Sequence, residues 1–259
     1  MAFAPGHVTG LFEIHDKGDT PEAKGSRGAG YSLALGVTST VNVSEAASFK
    51  VNARIEGADA PEATVSLKCV DLFFRRGAGG NRQKEGFSGD TAGFPPYAVS
   101  ILHKSSLPVG SGYGTSGAGA LGLVYALNVI LGGRLSPEEC AAVAHCAEVE
   151  CGTGLGTVIA ETYGGIEMRL VPGAPGTGAL VQIPFKSPLV SVSVHFGPLS
   201  TRHLLNDAAL RKKINNTGKT LLHGLAARPT VEGFLYASRE FSRRTGQIGR
   251  ASCRERVYC

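Results

Sequence analysis

Residues 29–43 are rich in β-branched, aromatic and aliphatic side chains, among them Tyr31, Leu33, Val37, Thr38, Val41 and Val43, and predict strand broken at Gly36. Residues 51–55 and 65–70 read as further short strand-like or mixed segments. Residues 75–96 hold many glycines, Asn81 and the pair Pro95-Pro96, which predicts a long surface loop. A strand at 98–103 runs straight into a glycine-rich segment, and an apolar run at 120–131 predicts a helix directly after it. The next helix opens on Ser136-Pro137-Glu138-Glu139: serine can cap, proline suits the first helical position, and Glu139 can close a capping box. It should run to about Glu150. A second glycine-rich turn, Gly152-Thr153-Gly154-Leu155-Gly156, precedes another helix and a strand near 164–170, and 172–178 is a turn-rich break. Valine and serine alternate over 190–194, predicting a strand that opens a second domain near residue 186, with helices at about 204–225 and 231–244. No internal repeat is visible.

Composition narrows the class. With 259 residues, 42% of them apolar and 18% charged, the chain can bury a real core, which excludes global disorder. Its longest apolar run, 118–131, carries glycines and Asn128 and falls short of the roughly 20 residues of a membrane span. The first residues lack a basic stretch followed by an apolar one, so the expectation is a soluble, cytoplasmic, glycine-rich protein. Cys69, Cys140, Cys146, Cys151, Cys253 and Cys259 form no CxxC pair and no metal-ligand spacing, as expected of reduced, structural thiols.

The segment 248–257 changes character, with three arginines and one glutamate and no periodicity. It resembles the in-frame translation of a sequencing-library adapter, and residues 248–259 are therefore expected to be a non-native tail. Without that segment the net charge falls from +5 to +3, so the pI of about 8.9 says little about nucleic acid. The other basic clusters, Arg75-Arg76 and Arg211-Lys212-Lys213, lack aromatic partners and read as solvated faces; no nucleic-acid or membrane partner is expected.

A strand, a glycine-rich loop and a helix in succession make an anion site, because the helix start leaves amide hydrogens unpaired and glycine lets the backbone approach a phosphate. Gly112-Tyr113-Gly114-Thr115-Ser116-Gly117 fits GxGxxG, but it lies mid-chain, without the strand and acidic residue a dinucleotide fold requires after its helix. A Walker loop fails at Gly218-Lys219-Thr220, since Lys213 stands where its first glycine belongs.

The window Pro108-Val109-Gly110-Ser111-Gly112-Tyr113-Gly114-Thr115-Ser116-Gly117-Ala118-Gly119 resembles the phosphate-binding motif of the GHMP kinases. Ala4-Pro5-Gly6-His7 and the region 152–165 resemble the same superfamily. Lys24-Gly25-Ser26-Arg27-Gly28-Ala29-Gly30, Ala144-His145-Cys146-Ala147-Glu148-Val149, Gly154-Leu155-Gly156, Gly164-Gly165-Ile166-Glu167-Met168-Arg169 and Pro198-Leu199-Ser200-Thr201-Arg202 are similar to the archaeal pantoate kinases within it. The resemblance covers about residues 2–246. It implies an α+β fold: an N-terminal domain (1–185) like ribosomal S5 domain 2, with a left-handed βαβ unit, and an incomplete ferredoxin-like C-terminal domain (186–247).

The same resemblance implies an ATP-dependent transfer of phosphate to the terminal hydroxyl of pantoate, giving 4-phosphopantoate for coenzyme A synthesis, in a homodimer. Gly110, Gly112, Gly114, Thr115, Ser116, Gly117, Ala118 and Gly119 would cradle ATP. Ser116 and Glu148 would hold Mg²⁺, whose preference for oxygen suits both. Ser26, His145 and Arg169 would hold pantoate, with the guanidinium on its carboxylate. Thr157 departs from the pattern: relatives often carry an aspartate there as a base, and threonine is no base at neutral pH. Phosphoryl transfer depends on positioning and charge more than on a strong base, so the kinase reading stands, with Thr157 orienting the hydroxyl. The alternatives are another GHMP small-molecule kinase, acting on homoserine or mevalonate, or a nucleotide-binding protein without turnover.

The third glycine motif of the superfamily falls beyond the expected end of native sequence. The 259-residue chain is therefore expected to melt lower and turn over more slowly than a parent with a whole C-terminal domain; equal melting temperatures and rates would refute this.

Overall fold

The computed structural model describes residues 1–56, 63–77, 96–186, 189–194 and 207–246. Two long strands, β1 (Ala2–His15) and β2 (Gly25–Glu45), pair antiparallel through a 3-10 turn at Pro21–Ala23 and form the hairpin on which the other elements hang. The outer half of β2, from Val37 to Glu45, pairs antiparallel with β4 (Tyr97–Ser105), which pairs in parallel with β3 (Lys50–Ile55). The inner half, from Gly28 to Tyr31, pairs with β5 (Ile166–Val171), and β5 with β6 (Ala179–Gln182). The result is one six-stranded sheet. A parallel neighbour needs a crossover, and α1 (Thr64–Gly77) lies in the segment joining β3 to β4.

Around the outer half of the hairpin pack α1, α2 (Thr115–Ile130) and α3 (Pro137–Cys151), burying Val37, Val41, Val99, Ile101, Phe73, Leu123 and Leu127 in one core. A second core joins Leu11, Ile14, Ala29, Ile166 and Met168 to α5 (Ala208–Ala227) and α6 (Val231–Thr245) through Ile214, Leu222, Phe234 and Phe241. Between the cores lies the short helix α4 (Thr157–Tyr163).

Several expectations change. Residues 65–70 belong to α1: Ser66, Cys69, Val70, Phe73 and Phe74 are buried at helical spacing, and helix packing overrides the local β-branched preference. Gly36 does not break β2. It faces Pro5, and a Cβ there would strike the carbonyl oxygen of Ala4, so glycine permits close approach of two strands. β1 was not anticipated, because Pro5, Gly6 and Gly10 obscure its period; register shifts at Pro5/His7 and Thr9/Leu11 accommodate them. Residues 189–194 form no strand. Their alternation is real, since Ser191 and Ser193 meet the hydroxyls of Tyr31 and Tyr113 at 2.8 and 2.7 Å. Val190 and Val192, however, are 89% and 86% exposed. Of the loop expected at 75–96, Arg75, Arg76 and Gly77 belong to α1, and residues 78–95, like the tail at 248–259, lie outside the described residues.

Other expectations hold. The Ser136 hydroxyl accepts from the Glu139 amide at 3.2 Å while the Glu139 carboxylate accepts from the Ser136 amide at 2.8 Å, closing the capping box. Gly218 sits in mid-helix against the Phe12 backbone, which explains the glycine without a phosphate loop. Cys69, Cys140, Cys146 and Cys151 are free thiols, and among the described residues no helix is long and apolar enough to cross a membrane. Leu127→Ala is expected to cost about 2–5 kcal/mol in urea unfolding, whereas Val129→Ala, at an exposed position of the same helix, should stay within about 0.5 kcal/mol.

Candidate active site

The glycine loop between β4 and α2 takes its shape from three left-handed residues, Gly110, Gly112 and Gly114, with φ of 73°, 84° and 66°. Gly114 is the N-cap of α2 and offers no side chain, so the first-turn amides are not capped from within. The His7 amide donates to the Tyr113 carbonyl at 2.9 Å, tying the loop to β1 at its first register shift. Beside the loop opens a cavity of about 510 Å³, bordered by Gly110, Gly112, Gly114, Thr115, Ser116 and Gly119 together with Ser26, Gly154, Gly156 and Thr157. That volume suits a nucleotide-sized ligand.

Ser116, in the first turn of α2, donates its hydroxyl proton to Glu148 Oε1 at 2.5 Å, and Thr153 donates to the same oxygen at 2.7 Å. Glu148 is buried in the last turns of α3, and its Oε2 points at Gly154 on the far rim. Burial raises its carboxyl above the usual range, against the two hydroxyls that favour the charged form. A hydroxyl and a carboxylate converging at a phosphate loop fit Mg²⁺, which takes one or two protein oxygens and completes its shell from phosphate and water.

Behind Gly156 lies a buried charge cluster. Arg169 and Glu167, two apart on β5, share one face of the strand, and Arg169 Nη1 donates to Glu167 Oε1 at 2.6 Å. Neutral His7 donates Nε2–H to the same oxygen at 2.9 Å, and Thr9 donates to its Nδ1 at 3.4 Å. Burial lowers the His7 pKa. For Glu167 burial works upward, but the Arg169 charge and the His7 hydrogen bond outweigh it and hold the carboxyl below its usual value. Gly30 makes the room, since a Cβ there would run into the His7 ring. Among the described residues Arg169 Nε has no partner, and it lies 3.1 Å from where a Cβ at Gly156 would stand, a position that would also collide with the Ser26 hydroxyl. A side chain at 156 would therefore displace Ser26, which borders the cavity, and press on the buried guanidinium behind it.

His145 is brought near the site but not into it. Its Nε2 donates to the Lys24 carbonyl at 2.9 Å, fixing the chain two residues before Ser26, and burial lowers its pKa. Gly117 and Ala118 face inward rather than toward the cavity, Gly117 against Glu161 and Val158. The remaining sequence-predicted loop residues, with Ser26, Glu148 and Thr157, border the cavity. Three groups escaped the sequence reading. Thr153 follows Glu148 within the second glycine turn. Glu161 lies one helical turn after Thr157, a spacing that could have revealed it. His103, in β4, bridges Ser39 and Ser66 at 2.8 and 2.9 Å and gave no sequence signal.

The model of the GHMP kinases N terminal domain matches residues 81–165. A pantoate kinase of Methanocaldococcus jannaschii is 33% identical over 246 residues, covering 95% of this chain and 80% of that protein. One of Thermococcus kodakarensis is 31% identical, covering 95% and 76%. Among solved structures, a phosphotransferase related to the CoA biosynthesis pathway superposes with a TM-score of 0.74 at 26% identity, covering 96% of this chain and 76% of that one. L. major mevalonate kinase superposes with a TM-score of 0.56 at 14% identity, over 95% and 74%, a likeness of fold alone.

His103 supplies a pH test. Burial lowers its pKa to about 4, so the folded state resists a proton that the unfolded chain binds near 6.5. Its stabilising effect is present above pH 6.5 and lost as pH falls toward 4. Urea midpoints of the unaltered chain should drop across that window, and His103→Gln should unfold more easily at pH 7.5 while losing part of the slope.

Proposed function

From the chain's membership of the pantoate kinases, within the GHMP kinase family, we propose that it phosphorylates the terminal hydroxyl of pantoate with ATP, yielding 4-phosphopantoate for coenzyme A synthesis. The observation that supports the reading is that one cavity is lined both by the uncapped helix start at Ser116 and by Ser26 and Gly156, with the Nε of buried Arg169 just behind Gly156.

The triphosphate lies along residues 110–119, its terminal phosphate on the first-turn amides of α2. Ser116 and Glu148 hold Mg²⁺, which when bound supplies neutralisation of charge on the transferring phosphoryl group. Ser26 donates its hydroxyl to the pantoate carboxylate and Arg169 adds its Nε–H from behind Gly156, while Glu167 and His7 keep the guanidinium in place and His145 keeps the turn that carries Ser26. Anchored by its acid end, the substrate turns its hydroxyl toward the γ-phosphate, and placement does most of the catalytic work. Residues 1–185 form the domain that carries both substrates, and α5 and α6 belong to a C-terminal domain that packs on β1. A cytoplasmic homodimer completes the proposal.

Coupled ADP release should be fastest with pantoate when pantoate, homoserine and mevalonate are compared. A faster rate with another acceptor transfers the assignment, and an ATP-induced rise in melting temperature without ADP release would point to a binding protein. Arg169→Lys should raise KM for pantoate about tenfold or more, the worth of one charge-assisted hydrogen bond. Ser116→Ala should lower kcat about 100-fold.

A further inference from the structure

Two large apolar side chains border the cavity close to the residues assigned to the acid end of the acceptor. Phe12 lies on β1, and Leu155 lies in the second glycine turn between Gly154 and Gly156. Both are half-buried, and both pack on the second core. The sheet fixes where Phe12 stands. It pairs opposite Gly28 on β2, and Gly28 pairs opposite Arg169 on β5, so the three form one row across the strands. A Cβ at Gly28 would lie 2.9 Å from the Phe12 Cα and 3.0 Å from Arg169 Nη2. Glycine there lets the strand that carries the ring approach the guanidinium.

Leu155 has the same neighbourhood. It precedes Gly156, which adjoins the Ser26 hydroxyl and Arg169 Nε. It follows Gly154, where a Cβ would meet Glu148 Oε2 and lie 3.7 Å from Thr157 Oγ1. Its turn therefore joins the acid anchor to the residues assigned to the metal and the acceptor hydroxyl. Phe12 is steadied from the C-terminal helices: its ring meets that of Phe241 on α6 with centroids 5.4 Å apart, and Gly218 lets α5 close on the Phe12 backbone. Among the described residues, the other large aliphatic side chains on the cavity are Val37, Ile55, Val65 and Val109. They come from the outer half of β2, from β3, from α1 and from the glycine loop.

We propose that Phe12 and Leu155 seat the two methyl groups of pantoate and so select it among hydroxy acids, an inference that rests on the pantoate reading above. Between its carboxylate and the hydroxyl that is phosphorylated, pantoate carries a quaternary carbon with two methyl groups. With the carboxylate at Ser26 and Arg169 and the hydroxyl turned toward the γ-phosphate, that carbon crosses the stretch of cavity that Phe12 and Leu155 border. A phenyl ring and an isobutyl group lose water together with the methyl groups, and the gain grows with the apolar area covered. Polar side chains in their place would be stripped of water without a partner. A quaternary carbon packed against two side chains also has fewer ways to turn, which keeps the hydroxyl aligned. An acid of the same length without the methyl groups keeps its anchor and its hydroxyl but leaves the seat unfilled.

The test compares pantoate with 2,4-dihydroxybutanoate, the same acid without its methyl groups, in the unaltered chain, Leu155→Ala and Phe12→Ala. The unaltered chain should favour pantoate in kcat/KM by about 10- to 100-fold, the worth of two methyl groups in an apolar pocket. Each variant should reduce that preference about three- to tenfold through the pantoate value. The kcat/KM for 2,4-dihydroxybutanoate and the KM for ATP should stay within about twofold. Leu155→Met, which keeps the apolar bulk, should retain most of the preference. An unchanged preference in Leu155→Ala and Phe12→Ala, equal losses on both acceptors, or a raised KM for ATP at constant preference overturns the seat alone. No phosphorylation of pantoate by the unaltered chain overturns the pantoate reading and the seat together. Leu155 lies in a turn, so Leu155→Ala reports on the seat even if Phe12→Ala, which removes the contact with Phe241, fails to fold.

Discussion

A carboxylate withdrawn from water must have its charge answered by something nearby, or it takes up a proton, and three glutamates stand under that constraint in the middle of this molecule. Glu167 is answered most fully, by Arg169 and by the neutral imidazole of His7. Glu148 is answered by two hydroxyls, which leaves it able to take a cation as well. Glu161 is answered by nothing among the described residues. The gradation follows the pairing: Glu167 holds an arginine in position, Glu148 fits a metal, and Glu161, unpaired, takes up a proton.

The backbone makes these placements possible. The β1–β2 hairpin serves two cores at once, and its register shifts near Pro5 and Thr9 fall between them. At that junction His7 uses its amide to hold the glycine loop and its side chain to hold Glu167. The glycine loop and the Arg169–Glu167 pair are therefore referred to one residue, although Tyr113 and Arg169 lie far apart in sequence. Glycines at 30, 36 and 156 each give way to a specific neighbour: a ring, a carbonyl oxygen, a serine hydroxyl. A methyl group at any of them would shift the elements that carry the chemistry.

Membership of the GHMP kinases makes the departure at Thr157 more informative than agreement would be. In a site where attack depends mainly on positioning, a missing base is tolerable. The fold thus belongs to the family, whereas the threonine at 157 is this chain's own.

Much was legible locally. The capping box at Ser136, the glycine loop before α2 and the amphipathic helices α5 and α6 follow from periodicity and from residues with a single mechanical use, and Ser116 and Glu148 were recognisable by their motifs. What escaped is long-range. β1 carries one proline and two glycines that hide its period, and 65–70 has β-branched residues that only packing against α2 and α3 turns into helix. The serine–valine alternation at 190–194 guarantees no ladder without a neighbouring strand. The pairing of His7 with Glu167 spans 160 residues, so no spacing rule contains it. The sequence alone determined the local elements and the kinds of atoms available for binding an anion, because those depend on neighbours within a turn or two. Which carboxyl meets which donor, and which meets none, was decided by the tertiary structure, because burial and partnership exist only once distant strands have closed on one another.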